Sequence, residues 1–131
     1  MISKYHLYFL NQFYNQSELP LAYWDRFLDA LCGTREYQKE AIRSSVIYLA
    51  SKEYTNIQDL VSKNHYQNPQ LRERYPELAD YHRKLQLPSK LSATIDLATG
   101  TGKSYVMYGI AQILLGLGLV KRVLVLCPST T

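Results

Sequence analysis

Cysteine is scarce in this chain of 131 residues, which contains only Cys32 and Cys127. Neither stands in a metal-ligand spacing such as C-x-x-C, so the sequence excludes a disulfide framework and a cysteine-based zinc site. Long apolar runs are missing as well, since the longest, residues 109–120, is interrupted by Gln112 and is shorter than the roughly 20 residues that cross a bilayer. The N-terminus also lacks the apolar stretch of a signal peptide. These absences favour a cytoplasmic protein without membrane contact.

The chain also lacks extremes of composition and charge. Hydrophobic residues make up 47% and charged residues 20% of it, which excludes a disordered or collagen-like protein and indicates an ordinary globular domain. The excess of Lys and Arg over Asp and Glu leaves a net charge of +4. This mild basic excess permits an anionic partner without requiring one.

The first part of the chain predicts two helices. In a helical N-terminal segment, residues 1–33, apolar side chains recur at helical spacing over residues 21–32. The next section, residues 34–52, predicts a helix over residues 35–51 with Thr34 as its N-cap. Both helices are expected to bury one apolar face.

Residues 53–90 predict a polar helical insertion. Helical patterns at residues 57–63 and 77–85 alternate with breaks such as Asn68-Pro69, where the residue before proline disfavours a helix. The section contains basic and aromatic side chains, namely Lys63, Arg72, Arg74, Arg83, Lys84, Lys90, Tyr66, Tyr75 and Tyr81. This mixture can follow a nucleic-acid backbone, but interleaved acidic residues equally fit a solvated surface, and both interpretations stay open.

Residues 91–131 carry a different order of patterns. A β-competent stretch at residues 93–97 leads into a glycine turn, a helical pattern covers residues 104–115, and residues 123–126 form a continuous aliphatic run. Strands buried in a parallel sheet are apolar throughout, and a helix between two of them makes a right-handed crossover. The section therefore predicts an α/β fold with parallel strands and helices.

The turn between the first strand and the helix has the composition of a phosphate-binding loop. Glycines let successive amides approach and point at phosphate oxygens, and the following helix N-terminus adds positive charge. Lys103 would reach the β- and γ-phosphates, and the Ser104 hydroxyl would ligate Mg²⁺. The loop residues assigned to nucleotide binding are Thr99, Gly100, Thr101, Gly102, Lys103 and Ser104.

Three segments resemble one family. Residues 96–104 resemble motif I of superfamily 2 (DEAD/DEAH-like) helicases, especially the ATP-dependent motor subunits of type III and type I restriction enzymes, and Leu97 stands where general P-loops have their first glycine. Residues 35–42 are similar to an upstream R-x-Y-Q-x-x-A segment, which implies that Gln38 reads adenine and that Arg35 belongs to the same site. The C-terminal residues 122–131 resemble motif Ia.

The resemblance implies the N-terminal part of an ATP-dependent helicase or translocase. It implies an incomplete RecA-like domain truncated after motif Ia, ATP and Mg²⁺ as ligands, and Lys103 as the catalytic residue. It also implies DNA or RNA as partner through Ser129 and Thr130, modification or specificity subunits as further partners, and a place in a restriction endonuclease.

The carboxylates that an ATP hydrolase needs are missing from the part of the sequence that follows the first predicted strand. No Asp or Glu stands between Leu97 and Thr131, so we expect an N-terminal fragment that does not hydrolyse ATP alone. Two alternatives stay open: a non-catalytic nucleotide-binding module, which the missing carboxylates favour, and a P-loop kinase for a small molecule, against which Leu97 and Gln38 argue.

Overall fold

The computed structural model of the protein describes residue 9 and residues 14–85, 87–98 and 100–127. Within these ranges the regular structure is helical. A 3-10 turn at Leu21–Trp24 leads into helix α1 (Asp25–Cys32), which is followed by α2 (Glu36–Ala50), α3 (Ile57–Gln67), α4 (Pro69–Arg74), α5 (Leu78–His82) and α6 (Lys103–Gly116).

The expected parallel sheet is wrong for the described part of the chain. Residues 93–97 and 123–126 adopt no strand there, and no ladder joins them. The aliphatic run is largely solvated, with Leu124 81% and Leu126 83% exposed. A β-branched and aliphatic run favours a strand only where a neighbour supplies hydrogen bonds and cover. The α/β, RecA-like fold class is therefore replaced by a helical architecture over the described ranges.

Most of the predicted helices are present, and their boundaries show which local signals were misread. Helices α2 and α6 lie within one or two residues of the expected limits. Thr34 is not a cap, since α2 begins after Arg35 without any side-chain cap. The predicted break at Asn68-Pro69 is confirmed, because α3 ends before Asn68, whose side chain accepts hydrogen bonds from the amides of Gln70 and Leu71 and starts α4.

Helices α2 and α6 pack along each other, and this pairing positions the candidate site. Ile42 of α2 and Val106 and Ile113 of α6 are buried in the shared core. Gly109 permits the close approach, since a Cβ at this position would lie 2.5 Å from Ile42 Cδ1. The N-terminal ends of the two helices are thereby brought to the same side of the molecule, where Gln38 meets residues 101–102.

Polar contacts attach helix α1 and the segment before the glycine loop to α2. The buried Lys39 joins α1 to α2, because its ammonium group donates to Asp29 at 2.5 Å and to Glu36 at 3.1 Å. On the other side, the Tyr48 hydroxyl donates to the Ser92 carbonyl at 2.8 Å and so anchors the extended segment that leads to the loop.

The section predicted as a polar insertion, residues 53–90, forms three short helices that pack on the same core. Helices α4 and α5 both pack on α3 and bury Leu60, Leu71 and Tyr81. Among the described helices, none has the length and hydropathy needed to span a membrane.

Candidate nucleotide-binding site

The glycine loop before α6 is a closed turn. The Thr101 amide donates to the Ala98 carbonyl at 3.3 Å, and the Thr101 hydroxyl donates to the same oxygen. Gly100 and Gly102 both have φ of +81°, in the left-handed region that L side chains rarely adopt. Gly102 is the N-cap of α6, so the helix begins directly after the loop.

The entrance to α6 offers unpaired donors. Lys103 and Ser104 are its first two residues, and both side chains are exposed. Amides in the first turn of a helix have no acceptor four residues earlier in that helix. Within residues 100–127, the amides of Lys103 and Ser104 have no other acceptor either. A helix N-terminus with exposed Lys and Ser side chains is chemically suited to an anion. Thr99 lies outside the described residues.

Gln38 reaches this loop from the first turn of α2. Its side chain is buried, with only 1% of the residue exposed, and Nε2 donates to the Thr101 carbonyl at 2.6 Å. Because a carbonyl oxygen can only accept, the amide must face Thr101 with its nitrogen. The remaining atom, Oε1, is buried without a hydrogen-bond partner in the described structure.

Two further contacts complete this junction between α2 and the loop. The Tyr37 hydroxyl donates to the same Thr101 carbonyl at 3.1 Å, so one oxygen accepts from two neighbouring side chains. A Cβ at Gly102 would lie less than 3.0 Å from the Gln38 Nε2. Gly102 is therefore required for close approach as well as for its backbone conformation.

Sequence reasoning missed Tyr37 as a site residue. It is not among the residues predicted for the site, yet 44% of the residue is exposed and its hydroxyl donates to the Thr101 carbonyl. Its position next to Gln38 could have indicated this role. Two successive residues in the first turn of a helix can both donate to one backbone carbonyl that lies beside that end of the helix.

The other predicted site residues either form no side-chain hydrogen bond to the loop or lie outside the described residues. Arg35 is exposed at the start of α2, and no side-chain contact is recorded for it within the described ranges. Ser129 and Thr130, expected to contact nucleic acid, lie outside the described residues. In the described part of the chain, no cluster of three His, Cys, Asp or Glu side chains could hold a metal. The Ser104 hydroxyl therefore stands as a single candidate Mg²⁺ ligand.

A scan against protein families matches residues 31–131, which are 101 of the 131 residues, to the family described as type III restriction enzyme, res subunit. The chain belongs to this family. The matched region contains Gln38 and the whole loop from Ala98 to Ser104. Comparisons with curated proteins and with solved structures found no match. Family membership gives the coarse functional class, a helicase-like, ATP-dependent restriction enzyme subunit that interacts with DNA.

Proposed function

We propose that this chain forms the ATP-binding part of a cytoplasmic restriction enzyme subunit that works as a DNA helicase or translocase. The junction of Gln38 with the glycine loop carries the proposal. A buried glutamine with one unpaired acceptor, hydrogen-bonded to a loop suited to anions, supports a base-reading role next to a phosphate-binding role. A nucleotide carries both a base and phosphates, whereas a simple anion offers only negative charge.

The loop and the start of α6 would bind the phosphates. The amides of Lys103 and Ser104 point from the helix N-terminus, and the Lys103 ammonium group would stabilise charge on the β- and γ-phosphates during hydrolysis. Ser104 would supply one oxygen to Mg²⁺, which neutralises phosphate charge when bound. Thr99, Gly100, Thr101 and Gly102 would supply the loop backbone.

Gln38 would recognise adenine through one hydrogen bond. Its Nε2 is already bonded to Thr101, so Oε1, which is buried, would become the acceptor for a base once the loop moves to expose it. An acceptor in this position pairs with the exocyclic amino group of adenine and is repelled by the carbonyl oxygen of guanine. Arg35 lies one turn before Gln38 at the same helix end, where its exposed guanidinium group would meet the nucleotide.

The remaining roles follow from the family and stay proposals. Ser129 and Thr130 would contact the nucleic-acid backbone, which positions a strand without reading its sequence. Modification or specificity subunits would be the protein partners. Because the sequence after Leu97 has no Asp or Glu, this chain would bind ATP without hydrolysing it.

A second candidate is a nucleotide-binding module without catalysis in any context. It is favoured by the same lack of Asp and Glu between Leu97 and Thr131. ATP hydrolysis by the subunit in which the 131 residues are joined to a carboxylate-bearing segment would exclude it, and ATP binding with no hydrolysis there would support it.

Calorimetric titration of the chain with ATP and GTP, with and without Mg²⁺, tests the proposal. Lys103→Ala is expected to weaken ATP binding about 10- to 100-fold, the value of a charge-assisted hydrogen bond of about 1.5–3 kcal/mol. Gln38→Ala is expected to weaken ATP more than GTP. Lys121→Ala removes the same charge from an exposed position outside the loop and serves as the control. Equal affinities for Lys103→Ala and Lys121→Ala would refute the site.

A further inference from the structure

An open cleft lies on the unit formed by α3, α4 and α5, apart from the glycine loop. It has a volume of about 400 Å³ and is lined by Arg74, Tyr75, Asp80, Arg83 and Lys84. Three cations and one carboxylate give this lining a formal charge of +2. The cleft is therefore more basic than the chain as a whole, whose net charge of +4 is spread over 131 residues.

The fold brings these cations together from two helices. Arg74 is the last residue of α4, and Arg83 and Lys84 directly follow α5. Since α4 and α5 both pack on α3, their C-terminal ends meet at the cleft. Asp80 is engaged by the Arg83 guanidinium group, whereas the Lys84 ammonium group has no hydrogen-bond or ion-pair partner within residues 14–85 or 87–98. The Lys84 charge is therefore available to an external anion.

The aromatic side chain that lines the cleft, Tyr75, is already stacked on another ring of the protein. The Tyr75 ring stacks on buried Tyr81 with centroids 5.6 Å apart and an interplanar angle of 28°. The Arg74 guanidinium carbon lies 5.6 Å from the centre of the Tyr75 ring, and His65 Nε2 is 2.7 Å from the Tyr75 carbonyl oxygen. Because the ring is occupied by neighbours within the protein, the cleft offers charge to a ligand and little surface for stacking a base.

We propose that this cleft binds the phosphodiester backbone of DNA, as a contact separate from the ATP site. Guanidinium and ammonium groups around an open cleft can bind phosphate oxygens, and this kind of contact holds DNA regardless of its sequence. The choice of DNA as the polyanion rests on the proposed function, that of a restriction enzyme subunit. The existence and charge of the cleft depend only on how α3, α4 and α5 pack together.

Fluorescence anisotropy with a labelled DNA duplex, measured over a series of salt concentrations, tests the cleft. Lys84→Ala and Arg74→Ala are each expected to weaken binding several-fold and to reduce the slope of log K against log salt by about 0.9, the value for one phosphate contact. Lys52→Ala removes one charge from an exposed position that does not line the cleft and is the matched control. Lys84→Arg, which keeps the positive charge, is expected to retain most of the affinity that Lys84→Ala loses.

Two results would overturn the proposal. One is a salt slope for Lys84→Ala and Arg74→Ala that equals the slope for Lys52→Ala, since non-specific attraction to net charge would then explain all binding. The other is equal or tighter binding of a polyglutamate peptide of the same charge as the duplex, which would assign the cleft to an acidic protein. ATP titration of the cleft variants is expected to match the unsubstituted chain. Loss of DNA binding and loss of ATP binding through Lys103→Ala are thus separate outcomes.

Discussion

Alanine substitution of the two loop glycines separates backbone strain from the contact with Gln38. Gly100 and Gly102 share a φ of +81°, so a Cβ strains the backbone at both positions. Their surroundings differ. Among the described residues, a Cβ at Gly100 meets nothing within 4 Å, whereas a Cβ at Gly102 lies against the Gln38 amide and 3.1 Å from Tyr105 Cδ2. The pair therefore forms an internal control.

The expected magnitudes follow from these contacts. Left-handed backbone costs an alanine about 1–2 kcal/mol, and the smaller freedom of the unfolded chain offsets about 0.4–1 kcal/mol of it. Gly100→Ala should therefore lower the free energy of unfolding by about 1 kcal/mol. Gly102→Ala must also displace the buried Gln38 amide and break its hydrogen bond to Thr101, which adds about 1 kcal/mol. We expect a total of about 2 kcal/mol for Gly102→Ala.

Urea unfolding followed by circular dichroism measures both values. The double variant Gly102→Ala/Gln38→Ala supplies a mutant cycle, in which a coupling of about 1 kcal/mol is expected because no amide remains to clash. Equal destabilisation by Gly100→Ala and Gly102→Ala, together with no coupling to Gln38, would show that α2 does not press on the loop as described.

Two further predictions concern tyrosine hydroxyls. Tyr37→Phe removes one of two donors to the Thr101 carbonyl, so calorimetry should show a loss of about 2- to 10-fold in affinity that is the same for ATP, GTP and inorganic tripolyphosphate; a loss for ATP alone would contradict a role in holding the loop. Burial raises the pKa of Tyr54 from 10.0 to about 12, so its neutral form stabilises the fold fully below pH 10 and this contribution disappears as the pH rises towards 12. Unfolding midpoints should therefore fall above pH 10, and less steeply in Tyr54→Phe; identical pH profiles for the two proteins would exclude this hydroxyl as a cause.

Much of the candidate site could be predicted from local sequence. The left-handed glycines, the start of α6 at Lys103 and the placement of Gln38 in the first turn of α2 all depend on residues within a few positions of one another. The number of hydrogen bonds that Gln38 could give to adenine could not be predicted in this way. Its Nε2 is taken by Thr101, 63 residues away, and only the packing of α2 on α6 creates that bond.

The same distinction explains the failure of the sheet prediction. Strand propensity at residues 123–126 is a local property, but a ladder needs hydrogen-bonding neighbours, and in the ranges that the structure describes this run has none. Helices carry their hydrogen bonds within themselves, so their patterns led to correct elements even where a cap was misassigned.

Local sequence was sufficient to predict the positions of the main helices and of the glycine turn, because each depends on hydrogen bonds and backbone angles within one or two turns of chain. The roles of Lys103 and Ser104 at this turn stay predictions. Tertiary structure alone decided that Tyr37 and Gln38 share the Thr101 carbonyl, that Arg74 and Lys84 line one cleft, and that the aliphatic run stays exposed. These features depend on which distant segments pack together, and that is governed by the summed burial of whole helix faces, which no local pattern specifies.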